Sequence, residues 1–160
     1  TETCRQCDVW GSIYAVNIGI LDEETNQKII ETLIKNYFTI VWHGQVRQML
    51  EPEGWEAIDE TAYQNKKVNR YQNGAFWGHA TGWLFLAIHQ TNRELAENLA
   101  YEVIEEYRSR GAYECVHPEG NYYKCLHYVS NLGVLIDTLV RTGYIEREKL
   151  EQYRYILARL

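Results

Sequence analysis

The strongest constraint on the fold is the alternation of two kinds of apolar segment. "TNQKIIETLIKNYF" places Ile29, Ile30, Leu33, Ile34, Tyr37 and Phe38 at helical spacing with a polar face opposite. "RELAENLAYEVIEEYRSRG" repeats the pattern through Leu95, Leu99, Val103 and Tyr107. It opens with Thr91 and Glu94 in capping-box spacing and closes at Gly111. "EREKLEQYRYILARL" supplies a third one-sided helix through Leu150, Tyr153, Leu157 and Leu160. Each is preceded by a segment that is apolar on nearly every side: "DVWGSIYAVNIGIL", "GAFWGHATGWLFLAIH" and "LHYVSNLGVLIDTLV". Gly, Ala and Ser within these segments permit close approach, as expected of helices enclosed by neighbours. The turns between the two kinds are short ("DEET", "QTN", "TGYIE"). The pattern predicts an all-α fold in which residues 1–160 form a single domain of three αα-hairpins, each an enclosed helix followed by a surface helix.

Hairpins stacked side by side make the enclosed helices run parallel, so the segments leading into them share one surface. The unusual residues follow this rule. "CRQCDVWG", "YQNGAFWGH" and "YECVHPEGNYYKCLH" all lie at these helix starts, whereas the opposite end holds ordinary turn residues. Helix N-termini present unpaired N–H groups and partial positive charge, which suit hydroxyls and carboxylates. A site is therefore expected at this end.

The richest of these stretches is "YQNGAFWGHATGW", residues 71–83. It sets Tyr71, Phe76, Trp77, His79 and Trp83 beside Gln72, Asn73 and three glycines. A core has no use for the amides, and a solvated loop has none for the rings. Together they suit a ligand that is flat, partly apolar and covered in hydroxyls. Tyr71, Gln72, Asn73, Trp77 and His79 are accordingly candidate sugar-binding residues, as are Trp10 and His117. Trp77, beside Gly78 near its helix start, is expected to be the exposed stacking platform. "NG" is also a plain turn signal, and His79 and His127 also fit satisfied interior positions.

Composition narrows the partners. Hydrophobic residues make up 46% and charged residues 24%, which excludes a disordered chain, and no run reaches the ~20 apolar residues of a membrane span. A net charge of −6, with basic residues scattered along acidic helices, excludes a nucleic-acid surface. "CRQC" with Cys115 and Cys125 is a formal four-thiol set, but the second pair is too widely spaced for structural zinc, so no metal or organic cofactor is expected. Four cysteines do not make a secreted disulfide scaffold; the compartment stays open, with a reduced interior the milder reading. A start at Thr1 is expected of an incomplete or processed chain.

The "DVWGS" and "YQNGA.W...TGW" motifs, from about Gln6 to about Leu139, resemble the C-terminal half of six-hairpin, (α/α)6-barrel glycoside hydrolases. The motifs are more distantly similar to those of trehalases and processing α-glucosidases. The resemblance implies half of an α/α toroid with its active site at the N-terminal ends of the inner helices. It matches Asp8 to an aspartate that opens an inner helix, and Asn73-Gly74 to an asparagine-glycine pair. Glu114, in "AYECVHPEG", takes the place of the catalytic base. The general acid of such relatives would precede Thr1, so the missing half-barrel or a second copy is an expected partner.

Hydrolysis by inversion is the expected chemistry, with Glu114 activating water and Asp8 holding sugar hydroxyls or acting as acid. Glu56, in "EGWE", is the rival base. Two other readings stand beside it: a non-catalytic carbohydrate-binding toroid, and a uronate lyase using cations such as Arg5, Arg47, Arg70 and Lys124.

Overall fold

Asp8 opens the first helix, α1 (Val9–Ile18): its Oδ1 accepts the Gly11 N–H, and Gly19 closes the helix at φ 67°. Asp22 caps α2 (Glu23–Lys35) in the same way. The computed structural model describes residues 6–50, 71–119 and 122–151. Its remaining helices are α3 (Tyr37–Ile40), α4 (His79–His89), α5 (Arg93–Arg110) and α6 (Val129–Arg141). Asn92, not Thr91, caps α5 by accepting the Leu95 N–H at 3.1 Å. Residues 147–151 are helical, and the rest of the third one-sided helix lies outside the described residues.

The fold is not all-α. Among the described residues, five strands form one antiparallel sheet in chain order: β1 (Val41–Trp42), β2 (Gln45–Arg47), β3 (Phe76–Trp77), β4 (Tyr113–His117) and β5 (Tyr122–Leu126). The chain is therefore mixed α/β, and the all-α half-toroid implied by the resemblance is corrected. His43 and Gly44, with φ of 47° and 73°, form the two-residue turn that joins β1 to β2 in the register Trp42↔Gln45. Two positive-φ residues give a turn whose twist matches that of paired strands. The sheet continues through Val46↔Trp77, Phe76↔Val116 and Cys115↔Lys124. An isolated bridge, Asp8↔Met49, ties the entrance of α1 to the same layer.

Helix α4 is the centre of the molecule. It packs most extensively on α5 and α6 and also touches α1 and β2. Leu84, Phe85 and Ile88 are fully buried, and each such side chain contributes about 1.5–3 kcal/mol of burial. Thr81, also fully buried, donates its hydroxyl to the Gly44 carbonyl at 2.6 Å, joining helix to hairpin. Gly78 and Gly82 lie against α6: a Cβ at Gly82 would come within 2.8 Å of the Val134 carbonyl oxygen, so only glycine allows this approach.

The expected enclosure holds for α4 alone. Tyr14 and Ile18 of α1 are about half exposed, and Val129, Leu132 and Ile136 of α6 are open as well. Sequence patterning registers the absence of a polar face but not whether a neighbour is there to cover it.

Candidate functional site

The three helices α1, α4 and α6 run parallel. Between α1 and α4, Trp10 meets His79 with ring centroids 4.5 Å apart, Tyr14 meets Trp83 at 5.5 Å, and Asn17 Nδ2 donates to the Trp83 carbonyl at 2.9 Å. Between α4 and α6, Gly78 faces Asn131 and Gly82 faces Val134 and Thr138. Both pairs advance in the same direction, so the three N-termini lie at one end. The sheet is built there, because β3 leads directly into α4, β5 leads into α6 and the Asp8 bridge leads into α1.

Glu114 sits on β4 at 8% exposure. The register Tyr113↔Leu126 and Cys115↔Lys124 places it opposite Cys125. Tyr71 Oη donates to Glu114 Oε1 at 3.4 Å. The Cys125 thiol also donates to this carboxylate, and that bond is the main reason its pKa is raised. Burial and then the Glu114 charge raise the Tyr71 hydroxyl, so both donors keep their protons. Lys124 Nζ lies 4.6 Å from the centre of the Tyr71 ring. Below, Asn131 Nδ2 donates to the Tyr113 carbonyl, fixing β4 on α6.

Tyr71 is held in the left-handed region, at φ 47°. A bulky residue is rarely found there, and such a conformation persists only where its surroundings over-determine it. They do so here: the Tyr71 carbonyl accepts both the Ala75 N–H at 3.1 Å and Trp77 Nε1 at 3.3 Å. Cys125 and His127, either side of the exit from β5, also have positive φ (43° and 65°). Three of the four non-glycine residues with this conformation, among the described residues, thus belong to the segments around Glu114.

The rings form a continuous cluster. Trp77 contacts Tyr71 at 5.2 Å and Trp10 at 5.5 Å, and His79 lies within 4.5–5.4 Å of Trp10, Trp77 and Trp83. Burial among these indoles pushes the His79 imidazole down to about 4, so it is neutral at pH 7.

The expected platform is in the wrong place. Trp77 is 4% exposed and packs with Ala75 and Cys115, so it supports Tyr71 from beneath instead of facing a ligand. Asn73 and His117 are buried too, whereas Asp8, Trp10, Tyr71, Gln72 and His79 are partly open. Asp8 is not a free pair of acceptors, since Oδ1 already caps α1 at 3.0 Å. Glu56, Arg5 and Arg70, together with Cys4 of the thiol set, lie outside the described residues. Among the described residues no cluster of three or more His, Cys, Asp or Glu forms a metal site, and no helix is long and apolar enough to cross a membrane.

Sequence reasoning passed over Asn131, which is wholly buried and anchors β4, and it gave Cys125 no role beside Glu114. The first had a signal: an asparagine inside an otherwise apolar helix must satisfy its amide somewhere. No family model matches the chain, and no curated protein or solved structure matches it.

Proposed function

We propose that the sheet-covered end of α1, α4 and α6 is a carbohydrate site, and that the chain takes part in hydrolysing a glycosidic bond with Glu114 as the general base. The observation that carries this reading is the Tyr71–Glu114–Cys125 cluster: a buried carboxylate held by two protonated donors, both of which have their own backbone in the left-handed region. The "DVWGS" and "YQNGA.W...TGW" motifs add their likeness to six-hairpin glycosidases.

In this mechanism Glu114 removes a proton from water as the water oxygen attacks the anomeric carbon. The bond to the leaving oxygen breaks, and that oxygen takes a proton from an acid across the sugar, with the two carboxyl groups ~6.5–9.5 Å apart. Tyr71 and Cys125 orient Glu114 by donating to it. The free valence of Asp8, the open edge of Trp10 and the Gln72 amide hold sugar hydroxyls and ring faces. Neutral His79 serves as a hydrogen-bonding group and not as a cation. The acid comes from chain beyond the described residues or from a second copy. The open apolar side chains of α1 and α6 offer such a partner two edges to cover.

A non-catalytic carbohydrate-binding role is the second reading. It is favoured by the engagement of both candidate carboxylates, Glu114 by its donors and Asp8 by its helix. One experiment separates the two. Wild-type protein and Glu114→Gln are incubated with aryl glycosides and disaccharides, and the released sugar is followed by proton NMR. Hydrolysis with inversion that drops roughly 10²–10⁴-fold in the variant supports the base assignment. Binding without cleavage by the wild type moves the assignment to the second reading, and neither binding nor cleavage ends both.

A further inference from the structure

On another face, α3, the β1–β2 turn and the outward side of α5 enclose a groove of about 520 Å3. None of the residues around Glu114 lines it, so its chemistry is independent of the glycosidase reading. We propose that this groove is a binding site for a small organic ammonium compound, held between the rings of Tyr37, Phe38 and Tyr101 and the carboxylate of Glu102.

The rings supply the walls. Tyr37 and Phe38 meet at 88° with centroids 5.4 Å apart, so two aromatic surfaces stand at right angles. Phe38 is 92% exposed and Tyr101 67% exposed, an unusual outlay of aromatic surface on one side of a small protein. The faces of such rings attract cations, most strongly alkylated ammonium groups whose weak hydration is easily given up.

The polar groups supply the second observation. Tyr37 is only 4% exposed and lines the groove, yet its hydroxyl has no hydrogen-bond partner among the described residues. An unpartnered buried hydroxyl is costly, and a ligand that carries a hydroxyl beside its ammonium group, as choline does, offsets that cost once the Tyr37 ring turns its closed-off oxygen toward the groove. Burial, and then the charge of Glu102, raise the pKa of this hydroxyl, which puts the carboxylate within electrostatic reach of the same spot. Among the described residues Glu102 forms no ion pair, whereas its neighbours do. Glu105 pairs with Arg108 at 3.3 Å, and the buried Glu106 pairs with His43 at 3.3 Å and Arg110 at 3.7 Å.

Arg110 shows the principle at work. Its guanidinium lies 5.8 Å from the Trp42 ring centre while facing Glu106, so the protein already seats one cation between a ring and a carboxylate in this groove. Glu102 with Phe38 and Tyr101 repeats that combination without a cation from the described residues. With Glu105 and Glu106 already facing Arg108 and Arg110, Glu102 is the carboxylate left to set the sign of the groove: it repels an anionic ligand, and a neutral apolar one leaves it unused.

The test uses the full chain, titrated with choline and with dimethylbutanol, its uncharged carbon isostere, and followed by backbone amide NMR. Choline should shift residues 37–43 and 101–110 and bind at least roughly tenfold more tightly than the alcohol, as expected where charge and ring faces act together. Phe38→Ala and Glu102→Gln, both at exposed positions, should each weaken choline by about three- to tenfold with the melting temperature unchanged. Equal binding of the two probes, shifts confined to other faces, or full affinity in Glu102→Gln would overturn the assignment. A third arm sediments the protein with phosphatidylcholine vesicles. Retention on vesicles without binding of free choline would replace the small ligand with a lipid headgroup and refute the proposal.

Discussion

Gly78→Ala, alone and combined with Tyr107→Phe, tests how the sheet is joined to the helices beneath the site. Gly78 lies between β3 and α4 at φ −77° and ψ −23°, a conformation alanine adopts freely, so the backbone itself adds no cost. Space is the obstacle. A Cβ there would lie 1.6 Å from Tyr107 Oη, 2.9 Å from Tyr107 Cζ and 3.0 Å from Asn131 Cγ. Moving the oxygen out to 3.4 Å requires a shift of about 1.8 Å by a largely buried ring on α5, next to the asparagine that anchors β4. Overpacking of this kind costs about 1–3 kcal/mol, and restriction of the unfolded chain returns about 0.4–1 kcal/mol. The net loss of about 1–2 kcal/mol lowers the melting temperature by roughly 2–8 °C for a chain of this size. Tyr107→Phe removes the offending oxygen, which has no hydrogen-bond partner among the described residues, so by itself it is close to neutral or stabilising. In the double variant the nearest remaining atom is a ring carbon at 2.9 Å, which needs a shift of only about half an ångström. The two substitutions should therefore be coupled by about 1 kcal/mol in the rescuing direction. Urea unfolding of the four proteins measures this. Strict additivity, or a Gly78→Ala protein as stable as the parent, would refute the placement of Tyr107 over Gly78.

His79 makes stability depend on pH. Its pKa falls from 6.5 to about 4 on burial, so the folded chain refuses a proton that the unfolded chain accepts. Stability is fully present above pH 6.5 and is lost as pH falls toward 4, by up to about 3 kcal/mol. Denaturant unfolding across that window should show a steeper loss in the parent than in His79→Gln; equal slopes would contradict the buried neutral imidazole. Trp77→Ala should cost about 3–5 kcal/mol, because the ring is core, and a loss below about 1 kcal/mol in urea unfolding would return it to the surface.

The helical part of the fold was legible because its signals are long. Thirteen residues of α2 and eighteen of α5 repeat the helical period several times, and Asp8 and Asp22 carry recognisable caps. The sheet was not, because strands of two to five residues give an alternation of two no room to register. Its one local signal was "VWHGQV", a His-Gly pair between apolar residues, hidden behind the strong pattern of α2. The second and third of the segments leading into the enclosed helices hold three of these strands, β3, β4 and β5. The loop around Tyr71 was legible in composition but not in orientation: the same Trp77 that makes "AFWGH" look like a ligand platform is one residue of a strand whose side chain turns inward.

The position of the sheet has a physical consequence for the site. Three parallel helices gather the positive ends of their dipoles at one edge, an arrangement that favours carboxylates there by about 0.3–1 kcal/mol each. Asp8 answers this at α1 by capping it directly. At α4 and α6 there is no side-chain cap, since Gly78 and Tyr128 stand at those positions without one. Strand β4, paired between the two strands that lead into these helices, instead brings Glu114 to the shared edge, held by Tyr71 and Cys125 in place of a helix N–H. Its charge is then an acceptor that the local backbone does not consume, and this distinguishes it from Asp8. Under the proposed reading, the carboxylate whose partners are a phenol and a thiol, and not a helix N–H, is therefore the one of the two to test first as the base, which is why Glu114→Gln is the informative variant.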